Sequence, residues 1–378
     1  MRLPQRKNIV AIGIALLSIP GLFFNGWPAV KNWREGGVDF NQFYSAGRLV
    51  GTGHLYDFDA LFKLEAPRGP GCPTGRLPIV LYGHKVLGVL PYQTARLAWL
   101  ALNLAALLVF ALFWPGARPL ITGVAMAWSM SPTMAILFGQ DLPLWMMFFT
   151  LGLVLLGKDR PWSAGFAFSL CICKYHLAVG VPVMLVAQKR WKTLIAGATA
   201  CFVWLAVCFL IEGPRWPVEY LKATRMPEMS PATARMPNLH GLTAWLPGGA
   251  AVESILILLV VFLLWRVCRS VTSIGLSGAA AAASGLLLGQ HAYTVDCLLL
   301  IPLGALMMDR PAIPLWMKAW SLVMLSPVPA LLLTSDQPAT AQVLIIGFVI
   351  AGVMVNPEEK ADPSELRSVP AIPSYQAG

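Results

Sequence analysis

Residues 94–114, TARLAWLALNLAALLVFALFW, carry one charge, Arg96, in 21 positions. As a helix rising about 1.5 Å per residue, such a run is about 31 Å long, which matches the roughly 30 Å of hydrocarbon in a bilayer. The run has neither the alternation of a barrel strand nor the polar stripe of a surface helix. It reads as a transmembrane helix, and the chain around it repeats the pattern. Apolar stretches at 8–25, 120–138, 142–156, 162–187, 194–211, 250–265, 275–288, 297–308, 315–333 and 341–355 are separated by short polar or basic turns. The stretch at 162–187 is broken near its middle by Lys174-Tyr175-His176, so it is read as two half-helices. About twelve crossings result. The expected fold is an all-α polytopic transmembrane bundle spanning residues 1–355, followed by a disordered cytoplasmic tail at 356–378.

Composition agrees with a membrane solvent. The 378 residues are 57% hydrophobic and 12% charged, with a mean hydropathy of +0.66. The net charge of +10 would suggest nucleic acid in a soluble domain. Here Lys and Arg sit mostly in turns such as QKRWK (188–192), where they set orientation and meet lipid headgroups, so no nucleic-acid partner is expected. The seven cysteines form no CxxC pair or disulfide framework.

Two polar loops are too long to be mere connections. Residues 27–92 form the first external loop, in which 77–90 (LPIVLYGHKVLGVL) suits an interfacial or re-entrant helix. Residues 212–249 form the second, with Arg215, Lys222, Arg225 and Arg235. Cations on a translocated loop run against the positive-inside rule, and binding an anion would account for them.

This topology sends Asp39, Gln140, Asp141, Lys174, His176, Asn238, His240, His291 and Asp296 to the outer ends of spans or into outer loops. Ionisable groups in an apolar chain are costly unless they meet partners or line a wet cavity, so their convergence marks a candidate site with Asp39 as its reactive centre. Each also has a structural reading. Asp39 and Asp141 could cap helices, Lys174 could snorkel to headgroups, and His176 could be a packed, hydrogen-bonded side chain. Asn238 and His240 could belong to a turn, while His291 and Asp296 could bond to each other. No HExxH or HxxxH metal spacing, nucleotide-binding glycine loop or GxSxG elbow occurs. No cofactor is expected, and a divalent cation is not indicated.

In order along the chain, VDFNQFYSAGRLVGTGHLYD, LPYQTARLAWLALNL, FGQD, CKYHLAV with KRWK after it, PNLHGL and HAYTVDCLLL resemble the pattern of glycosyltransferase family 87. The resemblance covers about residues 8–308. Asp141 departs from it, where the family often has Asn, and so does LPIVLY at 77–82, where an aromatic-Pro-Pro stretch is usual. The resemblance implies a GT-C type membrane glycosyltransferase of bacterial cytoplasmic membranes. Its site would face the periplasm or exterior, its donor would be a sugar, mannose by analogy, on a polyprenyl phosphate, and its acceptor a glycolipid or glycan. Asp39 would be the general base of an inverting transfer. Lys174, Arg225, Arg235, His240 and His291 would hold the donor phosphate. Asn41, Tyr44, Gln140, Asp141, His176, Asn238 and Asp296 would hold sugar or acceptor. A secondary transporter and a ligase moving a diphosphate-linked oligosaccharide are the alternative readings.

Overall fold

The computed structural model describes residues 37–355 apart from 70, 230, 231 and 272, together with Phe23, Gly26 and Trp27. The expected tail at 356–378 and, but for Phe23, the expected crossing at 8–25 lie outside the described residues. All regular structure among the described residues is helical. The first loop folds into α1 (Val38–Leu49), α2 (Phe58–Glu65) and α3 (Pro78–Gly88). Next come α4 (Tyr92–Phe113), α5 (Pro119–Trp128), α6 (Met130–Phe138), α7 (Leu142–Gly157), α8 (Pro161–Ser169), α9 (Gly180–Ala187) and α10 (Trp191–Glu212). The second loop holds α11 (Trp216–Thr224) and α12 (Leu239–Thr243). The chain continues through α13 (Gly249–Ser270), α14 (Ile274–Leu288), α15 (Ile301–Asp309), α16 (Leu315–Leu325), α17 (Val328–Thr334) and α18 (Pro338–Met354).

Proline sets many of these starts. Pro78, Pro119, Pro143, Pro161, Pro302 and Pro338 each lie in a first turn, where the missing N–H needs no helical partner.

Among the described residues α4, α10 and α13, of 22 residues each, are long and apolar enough to cross a membrane. The count rises to five if two bent pairs each make one span, α5 with α6 at 70° and α16 with α17 at 53°. Helices of full spanning length are thus fewer than the twelve expected crossings, one of which falls almost wholly outside the described residues. Apolar runs that look continuous in sequence are interrupted in the backbone. Ser129 is extended (φ −83°, ψ 133°) between α5 and α6, and α7, α14 and α18 stop short at 16, 15 and 17 residues. The stretch at 162–187 divides as expected. Between α8 and α9 a 3-10 segment, Leu170–Leu177, contains Lys174 at non-helical φ −133°, ψ 65°.

Of the apolar cores among the described residues, two bear on the site. The larger surrounds α14, whose Gly-, Ala- and Ser-rich sequence is buried from Gly275 to Leu288; small side chains let neighbouring helices approach closely. The smaller joins Phe40, Phe43, Tyr44, Leu55, Leu61 and Leu81 of the first loop to Ala95 and Trp99 of α4. On the outside, α10 and α13 expose Phe202, Leu210, Ile255 and Leu258. Apolar faces of this extent suit lipid rather than water.

Candidate active site

The site lies where the two cores meet, and one turn aligns it. At the end of α6, Gly139 adopts φ +73°. Its N–H donates to the Ile136 carbonyl (3.2 Å) and that of Gln140 to the Ala135 carbonyl (2.8 Å), the paired bonds of a Schellman motif. A Cβ at Gly139 would lie 2.6 Å from the Phe40 Cβ, so a side chain there would push α1 away. Trp99 Nε1 donates to the Gly139 carbonyl (2.7 Å), and the Gly37 N–H donates to the Leu137 carbonyl (2.7 Å). The end of α6 and the start of α1 are thereby locked together.

That lock brings Asp39 and Gln140 into contact. Gln140 Nε2 donates to Asp39 Oδ2 at 2.7 Å. The amide oxygen of Gln140 accepts from Arg76 Nη2 (3.4 Å), and the same nitrogen donates to Asp141 Oδ1 (2.8 Å). Beside this chain, Lys174 Nζ donates to Asp296 Oδ1 at 2.6 Å, with the two side chains 4% and 2% exposed. Asp296 Oδ2 accepts from the Tyr293 N–H (2.8 Å). The His176 and His291 rings sit edge to face, 6.2 Å apart, and His291 packs on Tyr293 at 4.7 Å.

Asp39 is half-buried and lies outside the spanning helices. The protein packed around it raises its pKa above the ordinary value of 3.8, the Gln140 hydrogen bond and the charges of Lys174 and Arg76 pull it down, and Asp141 adds to the rise. It is not a capping residue, since Gly37 holds that position. It sits in the first turn, where the positive end of the helix favours a carboxylate.

The other expected site residues divide into two groups. Gln140, Asp141, Lys174 and Asp296 join Asp39 in one region, with His176 and His291 alongside. Lys174 does not snorkel, and Asp141, though it precedes α7, makes no capping bond with its side chain. The second group is engaged elsewhere. Asn41 donates to the Glu65 carbonyl (3.2 Å) and accepts from Arg68 Nε (2.7 Å), while the Tyr44 hydroxyl donates to the Leu90 carbonyl (2.8 Å). Asn238 caps α12 by accepting from the Gly241 N–H (2.8 Å) and also donates to the Gly289 carbonyl. His240 pairs with Glu253 at 3.0 Å. Arg225 and Arg235 are exposed, outside the hydrogen-bonded cluster.

Sequence reasoning missed Arg76 and Glu65. Glu65 is 1% exposed and accepts from the Cys72 N–H at 2.6 Å, supporting the loop beneath α1. Burial pushes its carboxyl up to about 7, against the pull of that hydrogen bond and of Arg68. Among the described residues no group of three or more His, Cys, Asp or Glu side chains could hold a metal ion.

Fold and site together define a membrane-helical protein with a charged, acid-bearing centre. Residues 78–290, more than half of the chain, match the model of glycosyltransferase family 87, and the chain belongs to that family. The match includes Gln140, Asp141, Lys174 and His176 and excludes Asp39, Arg76, His291 and Asp296. No curated protein and no solved structure matches the chain.

Proposed function

We propose that the protein transfers a hexose, mannose by family analogy, from a polyprenyl-phosphate donor to a glycolipid or glycan acceptor at the outer face of a bacterial cytoplasmic membrane, with GT-C type architecture. The observation that carries this reading is the hydrogen-bonded line from Asp39 through Gln140 to Arg76, flanked by the Lys174–Asp296 pair. It sets a proton acceptor at one end and positive charge at the other.

A single displacement needs that arrangement. The acceptor hydroxyl gives its proton to Asp39 while its oxygen forms a bond to the anomeric carbon. The bond from that carbon to the phosphate oxygen breaks, and the polyprenyl phosphate leaves with the bonding pair as a dianion. A phosphate leaves without protonation, so one base suffices and configuration inverts. Lys174, with His291 near it, supplies the developing phosphate charge with its partner, and Gln140, Asp141 and His176 are assigned to sugar and acceptor. The exposed apolar faces of α10 and α13 suit a donor dissolved in the bilayer.

The test is transfer by purified protein in detergent from radiolabelled polyprenyl-phosphate sugars, mannose first, to an extract of the host's envelope glycolipids. A labelled glycolipid is the expected product. Failure with every polyprenyl-phosphate sugar offered would overturn the donor assignment.

A further inference from the structure

Arg76 lies just before α3, in the first loop. Two carbonyls at this point of the chain are held from outside. The Tyr56 hydroxyl donates to the Arg76 carbonyl (2.8 Å), and the Tyr220 hydroxyl donates to that of Gly75 (3.4 Å). Tyr220 also bonds to the Tyr175 hydroxyl (2.8 Å), one residue from Lys174. Segments far apart in sequence therefore converge to fix the backbone that presents this guanidinium.

The side chain is placed with equal care. Its charge lies 5.2 Å from the centre of the Phe43 ring, and 14% of it is exposed. Nη2 serves Asp141 and Gln140, yet Nε is buried without a hydrogen-bond partner. A buried donor left unpaired is costly, and a guanidinium's planar fork suits two-point contact with an oxyanion. Lys174 is already closed onto Asp296. Arg76 touches Asp141 through one nitrogen, has donor capacity to spare and keeps an opening to the outside.

We infer that Arg76 is the residue that receives the donor's phosphate, exchanging its contact with Asp141 for the phosphate oxygens and freeing that carboxylate for sugar hydroxyls. The inference rests on the polyprenyl-phosphate reading proposed above.

The exchange is testable without turnover, by binding of a sugar-free polyprenyl monophosphate to the purified full-length protein, with the uncharged polyprenol as a control for the tail. Arg76→Gln is expected to weaken monophosphate binding about ten- to a hundredfold, the worth of a hydrogen bond to a charged group, and to leave polyprenol binding unchanged. Asp141→Asn removes the competing charge and is expected to bind the monophosphate as tightly as wild type or more tightly. A merely structural ion pair predicts the reverse, equal losses from both variants. Wild-type affinity in Arg76→Gln, or a tenfold loss in Asp141→Asn, would overturn the assignment. The second measurement decides even if Arg76→Gln fails to fold. Absence of binding by wild type would remove the donor reading and this inference together, whereas binding unaffected by Arg76→Gln would remove this inference alone.

Discussion

Asp39→Asn separates catalytic from structural roles with unusual clarity, because the contacts of Asp39 define what survives the change. Its Oδ2 accepts from Gln140 Nε2 at 2.7 Å, and the carbonyl oxygen of an asparagine can accept the same bond. Shape, volume and that contact are retained, while the capacity to take a proton is lost. Loss of a positioned base costs about 10²–10⁴ in rate, or about 3–5 kcal/mol in the barrier at 1.36 kcal/mol per decade. Stability should move the other way. Burial raises the folded pKa of Asp39 above 3.8, so the folded state holds this proton to higher pH than the unfolded chain does. Stability is then lost as pH rises from 3.8 through the folded value, so that ionising Asp39 costs the folded state. The variant, which has no charge to bury, should melt at or above the wild-type temperature in detergent. The assay pairs initial rates of labelled sugar transfer with melting curves on the same preparations. Transfer above a tenth of the wild-type rate would refute the role as base. Lost transfer with a lowered melting temperature would refute the stability argument and make Asp39 a structural residue.

Gln140→Ala removes the largest influence lowering the pKa of Asp39, so the acidic limb of the transfer-rate profile should shift to higher pH, with activity recovering on the alkaline side; an unmoved limb would count against the contact. Asp296→Asn leaves the buried Lys174 without its counter-charge and should destabilise the fold by about 3–5 kcal/mol. Adding Lys174→Met should restore part of that loss in thermal melts. For Glu65, whose carboxyl is raised to about 7, stability should fall as pH climbs from about 4.5 to 7, because the folded state keeps the proton that the unfolded chain gives up. Glu65→Gln should flatten that slope in melting temperature against pH, and an unchanged slope would place the titration elsewhere.

The membrane class and the clustering of part of the candidate site were legible for one reason. Asp141, Lys174 and Asp296 are ionisable residues next to apolar runs, and such placement demands partners. Arg76 escaped notice because it lies in a Gly- and Pro-rich loop where a basic residue draws no attention. Its role shows only in the fold, where it pairs with Asp141 as Lys174 pairs with Asp296. Arg225 and Arg235 were assigned to the donor phosphate, but both are exposed. Asn41 and Tyr44 looked available because they neighbour Asp39 in sequence. On a helix, residues two and five positions on point to other faces, and theirs meet Glu65 and Leu90. The backbone break at Ser129 was not legible, because hydropathy measures the length of an apolar run and is blind to a break within it.

The Lys174–Asp296 pair joins positions 122 residues apart, which matters for how the protein is made. Membrane helices are delivered in order from the ribosome, so Lys174 enters long before its counter-charge is synthesised. Throughout that interval the growing chain carries a cation with no acid to meet it at this place. The pair between the segment before α9 and the segment after α14 can therefore close only once the later segment has arrived.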